Sequence, residues 1–516
     1  MKTTLKYICS LAIAATLTGC NDGFLDRLPS DQLSDGSFWK VEDDAVKYTT
    51  GCYSFLIDPA AHLMMTDCFT DNGIPVSLTD AQGVLSAGTA TSTCYEFANI
   101  WSTAYAGIRR CDVFLKNIEQ VQMNVNRKDI LVGEIEFLRA FHYATLLKHF
   151  GGVPVLTSPL NLYESIPQRN SAQDVYQFIQ DECDKAAEKL PLTRTETNEI
   201  GRATKGAALA LKAQTSFLMC DYEATVAACK EVTNLGVYAL FDDYSGLFSP
   251  DFENNCEVIF DKQYMEQAVQ GGTGSMIDQY WGPQCIGGWE GLSPAQDLVD
   301  EYECTDGLPI SVSPLYNPES PYENRDPRLW VSILWHGREF GGSVFSTEGR
   351  IGKSNSTRTG YTFAKYINEK NAGMNDYGWT NFIYLRYADI LLMYAYAQNE
   401  IFGPDQSVYD AVNTVRLRPS VNMPVLQTGL SKDEMRKAIR HERRVEFTFE
   451  GIHFFDARSW RTLEEYVKKP VYGMDSEGNQ FFIENRKFDP EKDYLWAIPQ
   501  KEIDLSQGKL EQNPKW

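Results

Sequence analysis

Histidine is scarce in this chain: there are six in 516 residues, and no two are three or four apart. A helical zinc site needs such a pair. His441-Glu442-Arg443-Arg444-Val445 opens like a zincin motif but lacks the second histidine. The twelve cysteines include no CxxC pair and no regular spacing, which argues against zinc-ribbon and thioredoxin-like readings. Isolated ones such as Cys220 and Cys229 are expected to pack as small hydrophobes. Positive charge is also short, with 48 Lys and Arg against 70 Asp and Glu and a net charge of −22. Phosphate recognition needs a basic patch, so no nucleic-acid partner is expected. The pairs Gly271-Gly272, Gly287-Gly288 and Gly341-Gly342 lack the Lys-Ser/Thr that would make a phosphate loop. No nucleophile elbow is present either. The chain is therefore read as having no catalytic residue, no metal and no cofactor. No Ser/Gly linker or low-complexity tract divides it, and no stretch beyond the N-terminal segment is long and apolar enough to span a bilayer.

What is present begins at the N-terminus. Lys2 and Lys6 precede an apolar run from Tyr7 to Leu17, followed by Leu17-Thr18-Gly19-Cys20. This is the order of a secretory signal, and it ends in what looks like a bacterial lipobox. Residues 1–19 are expected to be removed and Cys20 to be lipidated, so that acyl chains hold the protein at a membrane. Asn21 to Leu33 then reads as a polar tether.

Helical periodicity follows over Phe38–Leu56, Phe97–Gln120, Asp129–Phe150, Ser171–Leu190, Arg202–Cys220 and Asp221–Leu235. Asp221 is the expected N-cap of the last of these and Gly236 its C-cap. A long irregular stretch from Asp58 to Thr93 interrupts the series. Small-residue faces such as Ala207, Ala210 and Ala213 suggest degenerate helical repeats. From Phe241 to Asn381 the periodicity fades into loops with short strands. It returns at Tyr384–Glu400, an almost wholly apolar segment expected to be a buried helix. Arg386 and Asp389 lie three apart there and are expected to pair. Asp405 is the expected cap of Gln406–Leu417. A last helix is expected over Ser431–Glu450, where Arg443 and Glu446 share a face.

Several segments, taken together and in order, resemble the SusD/RagB family of Bacteroidetes surface lipoproteins. They are Phe24-Leu25-Asp26, Phe38-Trp39, Leu138-Arg139-Ala140-Phe141, Phe150-Gly151-Gly152-Val153-Pro154 and Gly201-Arg202-Ala203-Thr204-Lys205. They continue with Arg325-Asp326-Pro327-Arg328-Leu329, Leu385-Arg386-Tyr387-Ala388-Asp389, Arg440 to Trp460, and Trp496-Ala497-Ile498-Pro499. Tyr396 departs from the family's more usual Glu. The resemblance implies a mainly α fold of tetratricopeptide-like hairpins in a right-handed superhelical arc, with a loop-rich, irregular inserted region. It implies one unit from 20 to 516: a helical part to about 240, a ligand-binding loop region over about 241–381, and a C-terminal helical part over about 382–516. It also implies a lipid anchor in the outer membrane, exposure at the cell surface, and a SusC-like TonB-dependent transporter as partner. The cargo would be a glycan, or in RagB-like members a peptide, that is captured and not cleaved. The charged residues of Arg440 to Glu450 are read as structural ion pairs.

Sugar rings stack on aromatic planes, and their hydroxyls need polar partners. Tyr280, Trp281 and Trp289 are aromatic, Gly-flanked and outside helical stripes, and so are the candidate cargo contacts. Asp67, Asp71 and Asn72 are the candidate hydroxyl partners from the first long loop. The bland alternative for either Trp is a core filler. Trp101, Trp330 and Trp335 are read as core. A glycoside hydrolase is the less favoured alternative, since seventy acidic residues leave room for a catalytic pair. A helical-repeat adaptor for another protein is a third reading.

Overall fold

The structure is a computed structural model and describes residues 38–160, 167–266, 274–353, 356–371 and 377–516. The signal segment 1–19, Cys20, the Asn21–Leu33 tether and Gly271-Gly272 lie outside these residues. Ten helices carry the frame: α1 Glu42–Cys52, α2 Tyr95–Asn117, α3 Val125–Phe150, α4 Ala172–Lys189, α5 Lys205–Leu218, α6 Tyr222–Asn234, α7 Tyr387–Phe402, α8 Gln406–Arg416, α9 Lys432–Glu446 and α10 His453–Ser459. The fold is mainly α, and no helix among the described residues is long and apolar enough to cross a membrane.

Local chemistry sets the helix ends. Ser171 and Ser431 each close a capping box, with Asp174 and Glu434 respectively. Asp221 caps α6 through the Ala224 N–H, and Asp405 caps α8 through the Val408 N–H. Gly403 ends α7 at a φ of +85°, a conformation that favours glycine. Between their ends the helices stack in sequence: α2 on α3, α3 on α4, α4 on α5 and α5 on α6. The next member of the stack is α7, which packs on α6, and α8 then packs on α7. Tetratricopeptide-like hairpins thus run through the chain, and the loop-rich stretch from about 237 to 381 is inserted between two neighbours of one stack. One apolar cluster runs through all of it, from Trp39 to Leu510.

The insertion is tied down by two-stranded antiparallel sheets. β1 Gly73–Pro75 pairs with β3 Leu292–Pro294, and β2 Val258–Lys262 with β8 Phe382–Arg386. β4 Ile333–Trp335 pairs with β7 Tyr361–Phe363, and β5 Glu339–Phe340 with β6 Ser343–Val344. β9 Val471–Met474 and β10 Gln480–Glu484 form a late hairpin.

Some expectations are corrected here. Tyr384–Arg386 is strand rather than helix, and α7 begins only at Tyr387. The reason is tertiary: β8 finds its partner β2 far back in the chain, and an extended Arg386 places its guanidinium among distant glutamates. Arg386 does not pair with Asp389, which binds Arg443 instead. Cys229 is buried as expected, but Cys220 is exposed at a turn with φ +56°. Trp101 and Trp335 are core, whereas Trp330 is 45% exposed.

Candidate glycan-binding face

The candidate aromatics sit on a short helix, Ile277–Trp281, and on the loop that leaves it. That loop folds straight back. The Trp289 N–H donates to the Gln279 carbonyl at 2.8 Å, Glu290 N–H to Gly282 at 3.0 Å, and Gly291 N–H to Tyr280 at 2.8 Å. So close a return requires glycine: a Cβ on Gly288 would lie 2.1 Å from the Gly282 carbonyl oxygen. The result is a stacked pair. The Trp289 and Tyr280 rings lie 5.4 Å apart and are inclined by 30°. Trp289 is 43% exposed, a large apolar plane left in water. Trp281, eight residues earlier, faces the other way and is only 5% exposed, with its indole N–H unpartnered. Trp281 is therefore a core residue and not part of the exposed plane.

Glu290 holds this loop in place, and sequence reasoning passed over it. Its carboxylate is fully buried and accepts the backbone N–H groups of Gln284 at 2.8 Å and Thr357 at 2.7 Å. Arg350 lies 3.4 Å from it and also donates to the exposed Gln284 side chain. Burial pushes the Glu290 carboxyl upward, against the pull of those N–H donors and Arg350. Its backbone is left-handed at φ +50°, which is costly for a residue with a side chain. The hydrogen bonds hold the strained turn, and the turn in turn aims Trp289 outward. Gln284 and Arg350 gather at the Glu290 carboxylate.

The first long loop does reach this region, though not through the residues expected. β1 pairs with β3 directly after the aromatic loop, and the Val76 N–H bonds to the Gly291 carbonyl at 3.0 Å. The next residues, 77 to 80, are exposed. Asp67, Asp71 and Asn72 are buried beneath. Asp67 accepts from the Asn72 amide at 2.5 Å, and Asn72 accepts from Arg444 at 2.8 Å. Asp71 takes Lys469 at 2.9 Å and Arg444 at 3.2 Å. Burial alone would raise the Asp71 carboxyl, but Arg444, His453 and Lys469 hold it well below the usual range. Burial pushes Asp67 up to about 6, against its Asn72 bond. All three are buried and bonded to protein partners, although the second carboxylate oxygen of Asp67 has none.

A second charged region lies deeper. Five cations, Arg328, Lys365, Arg386, Arg416 and Arg418, meet five carboxylates, Glu257, Asp326, Glu442, Glu446 and Glu450. Glu446 alone contacts three arginines: Arg386 at 2.7 Å, Arg418 at 2.8 Å and Arg328 at 2.9 Å. Arg443 bridges Asp389 and Asp456 beside them. Among the described residues no group of His, Cys, Asp and Glu is arranged to hold a metal ion.

Two family models cover these elements. One, described as "SusD family", matches residues 256–516. The other, described as "Starch-binding associating with outer membrane", matches residues 24–216. The chain belongs to the SusD family. A SusD-like protein from Bacteroides fragilis has a crystal structure that superposes with a TM-score of 0.83 at 30% identity, covering 95% of this chain and 100% of that one. Another from the same species, described as a SusD-like carbohydrate binding protein, gives 0.84 at 28% identity over 91% of this chain and 99% of that one. Among curated sequences, SusD-like protein P2 of Formosa agariphila is 24% identical over 99% of both chains.

Within the SusD frame the sequence motifs and the exposed aromatics separate. Arg325-Asp326-Pro327-Arg328, Leu385 to Asp389 and Arg440 to Glu450 supply most of the buried ionic cluster. The Tyr280–Trp289 plane lies on the insertion and is built by backbone geometry. Chemically it offers a flat apolar surface, a fit for the C–H face of a sugar ring.

Proposed function

We propose that this protein captures a glycan at the bacterial cell surface and passes it to a SusC-like TonB-dependent transporter in the outer membrane, without cleaving it. The observation that carries the reading is the half-exposed Trp289 ring stacked on Tyr280. A solved relative at 28% identity is described as carbohydrate binding, which supports the same cargo class. A further SusD-like structure is described as laminarin binding; at 22% identity its likeness bears on the fold alone. Cys20 is the proposed lipid attachment, and outer-membrane lipid the anchor. Capture needs no reacting group. A binding plane on the insertion leaves the helical stack as a rigid support.

The test is a glycan-array screen of lipid-free protein from Asn21 onward, followed by calorimetry on the best ligand. Expected is binding to one polysaccharide class, weakened about tenfold or more by Trp289→Ala, with no new reducing ends after prolonged incubation. New reducing ends would move the protein to the hydrolases. Binding to a peptide library and to no glycan would replace the cargo with a peptide. Co-purification of a barrel transporter with the lipidated protein tests the delivery step.

A further inference from the structure

A second cavity lies across the β5–β6 hairpin from the Tyr280–Trp289 plane. The hairpin touches both: Gly341 packs against Ile286 of the aromatic loop, and its N–H donates to Glu369 at the cavity wall. The cavity has a volume of about 210 Å³. That is below the roughly 300–1,000 Å³ of sites for drug-sized ligands, and suits one sugar ring rather than a chain.

Its lining is unusual in three respects. Trp330 stands at its edge with 45% of its surface in water. The ring is held by an edge-to-face contact with Trp335 at 4.6 Å, and Trp335 itself stacks on Tyr322 at 4.2 Å. Arg338 lies over both indoles, 4.9 Å from Trp330 and 5.1 Å from Trp335. It donates to the Ile333 carbonyl at 2.6 Å but makes no ion pair with any described residue. Burial lowers its pKa to about 10, so it stays charged at neutral pH. Glu369 is the cavity's one carboxylate, and it accepts the Gly341 N–H at 3.1 Å.

The third feature is Asn368. It is 4% exposed, and its side-chain N–H₂ has no partner. Its orientation is fixed, because its oxygen accepts the Lys370 N–H at 3.0 Å. An amide donor left unbonded in the interior is destabilising. Asn368 therefore sits in the cavity wall with its amide sealed from solvent, and Arg338 is the residue that brings unused donors to the cavity an exposed indole borders. A guanidinium with donors to spare selects a carboxylate or sulfate over a hydroxyl.

We propose that this cavity is a second carbohydrate subsite, selective for a sugar that bears an anionic group, either a uronate carboxylate or a sulfate ester. Trp330 takes the ring face, and Arg338 takes the anion. This rests on the glycan-capture reading above and narrows it to acidic glycans that span both sites.

The test uses a panel of uronate-bearing and sulfated polysaccharides, each beside its carboxyl-reduced or desulfated form, by calorimetry at physiological ionic strength. There, charges more than about 8 Å apart are largely screened, which limits the effect of the overall negative charge. Expected is at least one polymer bound tenfold or more tightly than its neutralised form. Arg338→Gln should erase that preference while the neutralised form still binds, and Trp330→Ala should weaken the acidic form. Thermal melts check folding in each variant. Preference for the carboxylate pair or for the sulfate pair names the anion. An equal affinity for both forms in the wild type overturns the subsite and leaves glycan capture standing, as does a preference that survives Arg338→Gln. No binding to any glycan overturns both proposals.

Discussion

Around Glu446 ten ionised side chains are sealed in the interior; around Trp289 an indole plane is left in water. The two regions invert the usual placement of charge and apolar surface. The ionic cluster joins segments from five parts of the chain, at Glu257, Asp326 to Arg328, Lys365, Arg386 to Arg418, and Glu442 to Glu450. Its geometry is over-determined, since each carboxylate has at least one arginine or lysine and most have two. The aromatic plane rests on two left-handed residues, Gly287 and Glu290, and one close return of backbone. The comparison teaches that charge here fixes the scaffold, while recognition falls to groups whose exposure the scaffold enforces.

The strongest way to break that comparison is to remove the hub. Glu446→Gln leaves three buried arginines short of an anion, a loss of about 3–5 kcal/mol for a broken buried pair. Urea unfolding should show this as a large drop in midpoint, and sugar affinity of the fraction still folded should be unchanged. A midpoint within error of wild type would mean the cluster contributes little. The two candidate tryptophans sharpen the same point. Trp281→Ala empties a packed site against Gly291, and should cost about 3–5 kcal/mol of stability.

Next in size is the turn. Glu290→Ala strips the Gln284 and Thr357 N–H groups of their acceptor, at a cost of about 1–3 kcal/mol. Because that acceptor also aims Trp289, sugar affinity should fall by more than the change in folded fraction explains. Equal loss in both readouts would reduce Glu290 to a purely structural role.

Acid reads the whole interior at once, with opposite signs. Burial would raise Glu446, but Arg418, Arg386 and Arg328 hold it well below the usual range. Its contribution is complete above the unfolded carboxylate value of about 4 and is lost as the pH falls toward its folded value. Asp67, Asp261 and Asp278 go the other way, each pushed by burial up to about 6. They take a proton in the folded state first, so stability rises as the pH drops from above 6 toward about 4. Melting temperature should therefore climb from pH 8, peak between about 4 and 6, and then fall. A steady decline from pH 8 downward would mean the depressed carboxylates outweigh the raised ones throughout.

Much of the frame was legible because its signals are local. Asp221, Asp405, Ser171 and Ser431 cap the helices they precede, and the stripes between them hold. The charged motifs are ion-paired in the interior, but not between the same-face neighbours expected: Arg443 goes to Asp389 and Asp456, and Glu446 to Arg328, Arg386 and Arg418. What was not legible depends on partners far along the chain. Tyr384 to Arg386 looks helical until Val258–Lys262 pairs with it. Asn72 looks like an exposed loop residue until Arg444, 372 residues later, bonds to it. Trp281 and Trp289 share the same glycine-rich setting, and only the fold-back of the loop separates core from surface. Trp330 looked like core for the same reason: its apolar neighbours gave no sign that the ring would stand at the edge of a cavity.

The smallest expected effect on stability is also the most informative. Trp289→Ala removes a ring that is 43% exposed and stacks on Tyr280. Surface changes of this kind usually shift stability by within about 0.5 kcal/mol. The same substitution removes the plane on which a sugar would stack, and affinity should fall about tenfold or more, while Trp289→Phe keeps a smaller plane and should fall between. A residue whose loss is silent in unfolding and large in binding is being held exposed by the rest of the molecule, which is the opposite of Glu446. If Trp289→Ala instead destabilises the fold as Trp281→Ala does, the ring is packing rather than presented, and the division between a charged scaffold and an aromatic face fails at its clearest point.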